Sequence, residues 1–148
     1  MTDDQISPYF IAIDDDRIDN MICSKIIQQV IPGVEVKTFT DPEDGLEFFQ
    51  SSYLTNENKY GILFLDINMP TLTGWEVLER FKNFPDDFRK RLKIFILSSS
   101  VSPRDKELAD NNPMVCDFIQ KPLTTTYIKS ILKNGEYNIV PSSQIKNS

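Results

Sequence analysis

Four short apolar runs in this chain stop on charged or hydroxyl-bearing residues, and that pattern sharply narrows what it can fold into. Phe10–Ile13 runs into Asp14, Asp15 and Asp16, and Ile62–Leu65 runs into Asp66. Ile94–Leu97 runs into Ser98, Ser99 and Ser100, and Asp117–Gln120 into Lys121 and Pro122. Short, continuous apolar runs are the mark of strands covered on both faces. If the four strands are parallel, their ends share one edge of one sheet. Carboxylates, a hydroxyl and an ammonium then converge there.

Helical signals fill the gaps. From Arg17 to about Val30, Ile18, Met21, Ile22, Ile26 and Val30 recur at roughly helical spacing. Asp16 is the expected N-cap, Asp19 takes the capping-box position, and Pro32-Gly33 ends the helix. Val34–Phe39 alternates and reads as a half-exposed edge strand. Asp41-Pro42-Glu43 opens a helix to about Tyr53 by cap, proline and acid, and Ser102-Pro103-Arg104-Asp105 repeats that start for a helix to about Asp110. Thr73 to Glu76 reads as a capping box for a helix through about Phe81, and Thr124 to about Lys133 is the closing helix. Thr55–Lys59 reads as polar loop, and Asn83–Leu92 as a charged connection containing Pro85.

Five strands alternating with five helices predict an α/β fold. The expected form is a flavodoxin-like, doubly wound, five-stranded parallel sheet of order 2-1-3-4-5, with Val34–Phe39 at its edge. Residues 1–135 form the expected domain, and 136–148 a polar tail with no output domain. In that strand order the topological switch falls between strands one and three, where ligands bind. Asp14, Asp15 and Asp66 are the residues at that point.

Composition excludes several chemistries. The chain has no histidine, which removes Ser-His-Asp triads and HExxH zinc sites; any phosphohistidine must come from a partner. Cys23 and Cys116 lie in no CxxC motif and fit a reducing compartment. The formal net charge of −6 argues against a nucleic-acid surface. Met1 to Ser7 has no signal-peptide core, and no apolar stretch approaches the ~18 residues that span a bilayer. A cytoplasmic protein with no membrane contact is expected.

Three crowded carboxylates demand an explanation. At ~5 Å and an effective dielectric of ~20, each pair repels by roughly 3 kcal/mol. Such a cluster raises its own pKa values or recruits a cation, and oxygen-only ligands with an open side suit Mg²⁺. Lys121 brings a compact charge that can balance the resting cluster and grip a phosphoryl oxygen. Ser98 is the expected hydroxyl, ahead of Ser99 and Ser100, because it directly follows its apolar run. Trp75 reads as packing, and Phe118 as core with its facing left open.

Together these segments mark a resemblance to response-regulator receiver domains over about Tyr9 to Lys133. The matching stretches are Ile13-Asp14-Asp15-Asp16, Leu65-Asp66-Ile67-Asn68-Met69-Pro70 with Gly74, Leu97-Ser98-Ser99 and Lys121-Pro122. The resemblance implies that Asp66 is the phosphoacceptor. It implies a Mg²⁺ held by Asp66, by Asp15 directly, by Asp14 through water and by the backbone carbonyl of Asn68. It makes Lys121 the family's lysine, usually followed by a cis peptide, and Ser98 the switch hydroxyl. Phe118 matches the switch aromatic, where tyrosine is more common, and lacks its hydroxyl. The implied reaction is phosphoryl transfer from a sensor histidine kinase or histidine phosphotransfer protein to Asp66. The implied output is a protein target contacting the face of the fourth helix, fifth strand and fifth helix. The Asn83–Leu92 connection is longer than typical for the family. Two rivals remain: an interaction module of the same fold that is never phosphorylated, and a haloacid-dehalogenase-like phosphatase using Asp14-x-Asp16.

Overall fold

The computed structural model describes residues 8–53, 60–100 and 102–134. The polar loop Thr55–Lys59, the segment Met1 to Ser7 and the tail 136–148 lie outside the described residues. The elements alternate as β1 (Tyr9–Ile13), α1 (Arg17–Val30), β2 (Val36–Phe39), α2 (Pro42–Phe48), β3 (Gly61–Asp66), α3 (Gly74–Phe81), α4 (Asp86–Arg91), β4 (Leu92–Ser98), α5 (Pro103–Asp110), β5 (Val115–Gln120) and α6 (Thr125–Asn134). A π-helical turn, Phe49–Tyr53, continues α2. The five strands form one sheet of order β2-β1-β3-β4-β5, and every neighbouring pair is parallel.

Alternation along the strands builds two apolar layers. Ile11, Ile13, Leu63, Leu65, Ile94 and Ile96 face one side and pack against Leu46, Phe49, Val77, Leu78, Phe81 and Phe88. Phe10, Ala12, Ile62, Phe64, Phe95, Leu97 and Ile119 face the other, against Cys23 and Ile27 of α1 and Ile128 and Ile131 of α6. The central strand β3 is buried at all six positions, as its unbroken apolar run requires.

Helix starts follow their cap chemistry. The Asp41 carboxylate accepts from the N–H of Glu43, and the Ser102 hydroxyl from that of Asp105. The Thr73–Glu76 capping box is complete in both directions. At α1 the box is not formed. The Asp16 carboxylate accepts from the N–H groups of Ile18 and Asp19, but the N–H of Asp16 itself donates to Asp14 Oδ1 at 2.9 Å. Asp19 turns elsewhere.

Two features differ from expectation. The segment expected as a charged connection contains a sixth helix, α4. Phe84 and Phe88 drive it, packing in an aromatic cluster with Phe49, Tyr53 and Phe81. Tyr53 donates its hydroxyl proton to the backbone carbonyl of Arg91 at 2.8 Å, and the Arg91 guanidinium lies 4.8 Å from the Tyr53 ring centre. The second difference concerns α1. Ile18, Met21 and Ile22 point to solvent, with 61%, 51% and 41% of their surface exposed. Asn20, Cys23 and Ile27 are buried in their place. Asn20 is held inward because its Nδ2 donates to the carbonyls of Asp14 and Phe39, tying the ends of β1 and β2 together.

Candidate functional site at the strand ends

Parallel pairing aligns the strand ends. Ile13 is in register with Leu65, Asp66 with Leu97, and Ser98 with Gln120. The residues that follow β1 and β5 are fixed by the ladder's continuation. The N–H of Asp14 donates to the Phe39 carbonyl at 3.1 Å, and that of Lys121 to the Ser98 carbonyl at 2.8 Å. Asp14, Asp15, Asp66, Ser98 and Lys121 are thereby delivered to one edge.

Three of them form a tight group. One carboxylate oxygen from each of Asp14, Asp15 and Asp66 lies within 4.8 Å of the other two. Asp14 and Asp66 are buried and Asp15 is exposed, so the cluster has a closed floor and an open side. This donor set is all oxygen and fits a hard divalent cation that keeps part of its water shell. The loop after β3 is drawn tight against the site. The N–H of Asn68 donates to Asp66 Oδ1 at 3.2 Å, and the N–H of Gly74 to the Ile67 carbonyl at 3.2 Å. A Cβ on residue 74 would stand 2.7 Å from the backbone oxygen of Asp66, so only glycine permits this approach.

Lys121 closes the floor. Its Nζ donates to Asp14 Oδ2 at 2.7 Å and to Asp19 Oδ2 at 2.8 Å, and lies 3.8 Å from Asp66 Oδ1. The peptide between Lys121 and Pro122 is cis. Ser98 is fully buried. Its Oγ donates to the Ser100 carbonyl at 2.6 Å and accepts from Asn68 Nδ2 at 3.4 Å. Asn68 thus touches both Asp66 and Ser98. Phe118 is half-buried, in register with Ile96. Trp75 is half-buried, and its indole N–H donates to Asp105 Oδ1 at 3.2 Å, joining α3 to α5.

The electrostatics follow from this crowding. Burial pushes the Asp66 carboxyl up to about 6, and the negative charges of Asp14 and Asp15 add to it. The Asn68 N–H and the Lys121 charge pull the other way. Burial also holds Asp14 above the ordinary carboxylate range, against its hydrogen bonds from Lys121 and Asp16. Burial weighs against the Lys121 charge, but the hydrogen bonds to Asp14 and Asp19 outweigh it and raise its pKa. The ammonium is held charged by several carboxylates, and no one carboxylate has it to itself. Cys23 borders a small hollow shared with Asp14, Asp66 and Lys121, and burial pushes its thiol up to about 12, away from the thiolate form.

Asp19 is the residue that the sequence reading missed. Local capping rules assign it to the start of α1, while its partner lies 102 residues away. Its spacing from Asp15, four residues along the same helix start, is a faint signal only.

Comparison with known proteins agrees with this geometry. The family model for the response regulator receiver domain matches residues 10–133. The chain is 30% identical over 131 residues to the two-component response regulator ARR17 of Arabidopsis thaliana, covering 83% of this chain and 81% of that protein. It is 31% identical over 124 residues to hybrid signal transduction histidine kinase L of Dictyostelium discoideum, of whose length it spans 7%. A crystal structure of a two-component response regulator from Cytophaga hutchinsonii superposes with a TM-score of 0.77 at 28% identity, covering 85% of this chain and 94% of that one. With the sheet order, the aspartate cluster and the matched span in agreement, the chain belongs to the response regulator receiver domain family.

Proposed function

We propose that this chain is a Mg²⁺-dependent phosphoacceptor switch and that Asp66 is its acceptor. The observation that carries this reading is the grouping of three carboxylates within 4.8 Å, with Lys121 3.8 Å from Asp66. A carboxylate oxygen of Asp66 attacks the phosphorus of a partner's phosphohistidine. The P–N bond breaks, the imidazole leaves, and a mixed anhydride forms on Asp66. Asp14, Asp15, Asp66 and the backbone carbonyl of Asn68 would hold Mg²⁺, which offsets negative charge on the transferring group. Lys121 grips a phosphoryl oxygen. The chain is then a signalling protein, and its own chemistry is limited to self-catalysed phosphorylation and dephosphorylation.

The donor is a protein, a sensor histidine kinase or a histidine phosphotransfer protein. In support, a shallow hollow lined by Asp15, Asp16, Arg17, Ile18 and Met21 joins the open side of the cluster to the exposed apolar patch on α1. After transfer, Ser98 turns toward one phosphoryl oxygen and leaves the Ser100 carbonyl. That exchange alters the loop into α5 and the face formed by α5, β5 and α6, with Phe118 adjusting beside it. This face, which presents Cys116 and Asp117, meets a downstream protein in the cytoplasm rather than nucleic acid. No helix among the described residues is long and apolar enough to cross a membrane.

Intact-mass spectrometry after incubation with Mg²⁺ and acetyl phosphate tests the assignment. One phosphoryl group is expected, absent when chelator replaces Mg²⁺ during the incubation and absent in Asp66→Asn. A label that persists in that variant removes Asp66 as the acceptor.

A further inference from the structure

Asp19 lies outside the acidic triad, yet it shares the ammonium that serves the triad. Lys121 Nζ is 2.8 Å from Asp19 Oδ2 and 2.7 Å from Asp14 Oδ2, against 3.8 Å from Asp66 Oδ1. An ammonium has three N–H donors. Two are committed to Asp14 and Asp19, and neither draws the charge onto Asp66. Asp19 does not close a capping box, because the Asp16 N–H that would be its partner donates to Asp14 instead. Its side chain is about one-third exposed, so it is not fixed there by core packing.

We propose that Asp19 is a positioning residue whose carboxylate holds the Lys121 ammonium off Asp66 in the resting chain, keeping Asp66 open to a cation. The role in phosphoryl transfer rests on the reading of Asp66 given above; the restraint on Lys121 does not. The lysine stem is flexible, and a carboxylate at 3.8 Å attracts its charge in this partly buried site. Without Asp19, that stem swings the ammonium onto Asp66, where it competes with the metal for the same oxygen. When a phosphoryl group is on Asp66, its added charge outweighs Asp19 and draws Lys121 across.

The test uses the full chain, metal-free, with the isosteric change Asp19→Asn. In a crystal structure of this variant, Lys121 Nζ should close from 3.8 Å to hydrogen-bonding distance of Asp66. Calorimetric titration with Mg²⁺ alone should give a dissociation constant about fivefold higher than the parent's. The same change made beside Lys121→Met should cost less than about twofold, because the competing charge is gone. An ammonium that stays in place, or equal losses in both backgrounds, overturns the proposal and leaves Asp19 a plain surface charge. If acyl-phosphate labelling of Asp66 fails while this coupling holds, the phosphoacceptor reading falls and the positioning role stands.

Discussion

Lys121 lies within reach of Asp66 but is not bonded to it: the 3.8 Å gap between Nζ and Oδ1 is spanned by charge alone. Among the described residues, Asp66 is therefore a buried carboxylate with one backbone N–H donor and no side-chain hydrogen bond, a costly state for an ionised group.

The cost makes stability depend on pH in a definite direction. Asp66 has a folded pKa of about 6 against 3.8 for the free group, so folding favours its protonated form. That contribution is complete below pH 3.8 and is lost as pH rises to about 6. At ~1.4 kcal/mol per pH unit the loss approaches about 3 kcal/mol. Asp66→Asn removes it. Urea unfolding in chelator should find the variant more stable than the parent by about 1–3 kcal/mol at pH 7.5, and by less at pH 5.

Protons and metal compete for the same oxygens. Because Asp66 must ionise before it coordinates a cation, Mg²⁺ affinity should be nearly flat above about pH 6 and fall up to about tenfold per pH unit below it. Calorimetric titrations in buffers of different ionisation enthalpy should also detect proton release at pH 5.5 and little at pH 8.

Gly74 holds the loop after β3 against the Asp66 backbone. In Gly74→Ala the new methyl carbon meets Asp66 O at 2.7 Å and Ile67 Cα at 2.8 Å, both backbone atoms that cannot swing aside. The variant should lose about 1–3 kcal/mol in urea unfolding, and its acetyl-phosphate labelling should slow in parallel. Full stability with unchanged labelling would contradict the packing described.

Trp75 bridges from α3 to Asp105 in the first turn of α5, the helix that follows Ser98. Its fluorescence should change when Mg²⁺ or a beryllium fluoride phosphoryl mimic binds. Asp105→Ala should shift the resting emission and shrink that change by about half or more, since the indole loses its link to α5, the helix proposed to respond.

The convergence of the site's residues was legible in the sequence because charge at the end of an apolar run survives any uncertainty in strand limits. Asp14, Asp66, Ser98 and Lys121 needed only parallel strands to converge. Arg17–Val30 also matched its expected bounds, from cap and proline signals. The facing of that helix was not legible. Of the residues that recur at helical spacing, Ile18, Met21 and Ile22 face solvent, while the Asn20 amide bonds two strand-end carbonyls on the inner side. No local rule weighs an asparagine above three apolar side chains. The helix α4 was hidden by its charged residues and by Pro85, although Phe84 and Phe88, four apart, carried the signal. Asp19 was assigned by a local pattern, and a contact with a lysine 102 residues away displaced it.

The tie between Tyr53 and Arg91 anchors the start of β4 at the end of the sheet remote from the carboxylates. Ser98 ends the same strand. β4 is fastened at its root and laddered on both sides to β3 and β5, so the proposed movement of Ser98 would pass into the turn and helix beyond the strand rather than back along it. On the proposed phosphoacceptor reading, the aromatic cluster beside α4 would steady the root of that strand without touching the chemistry.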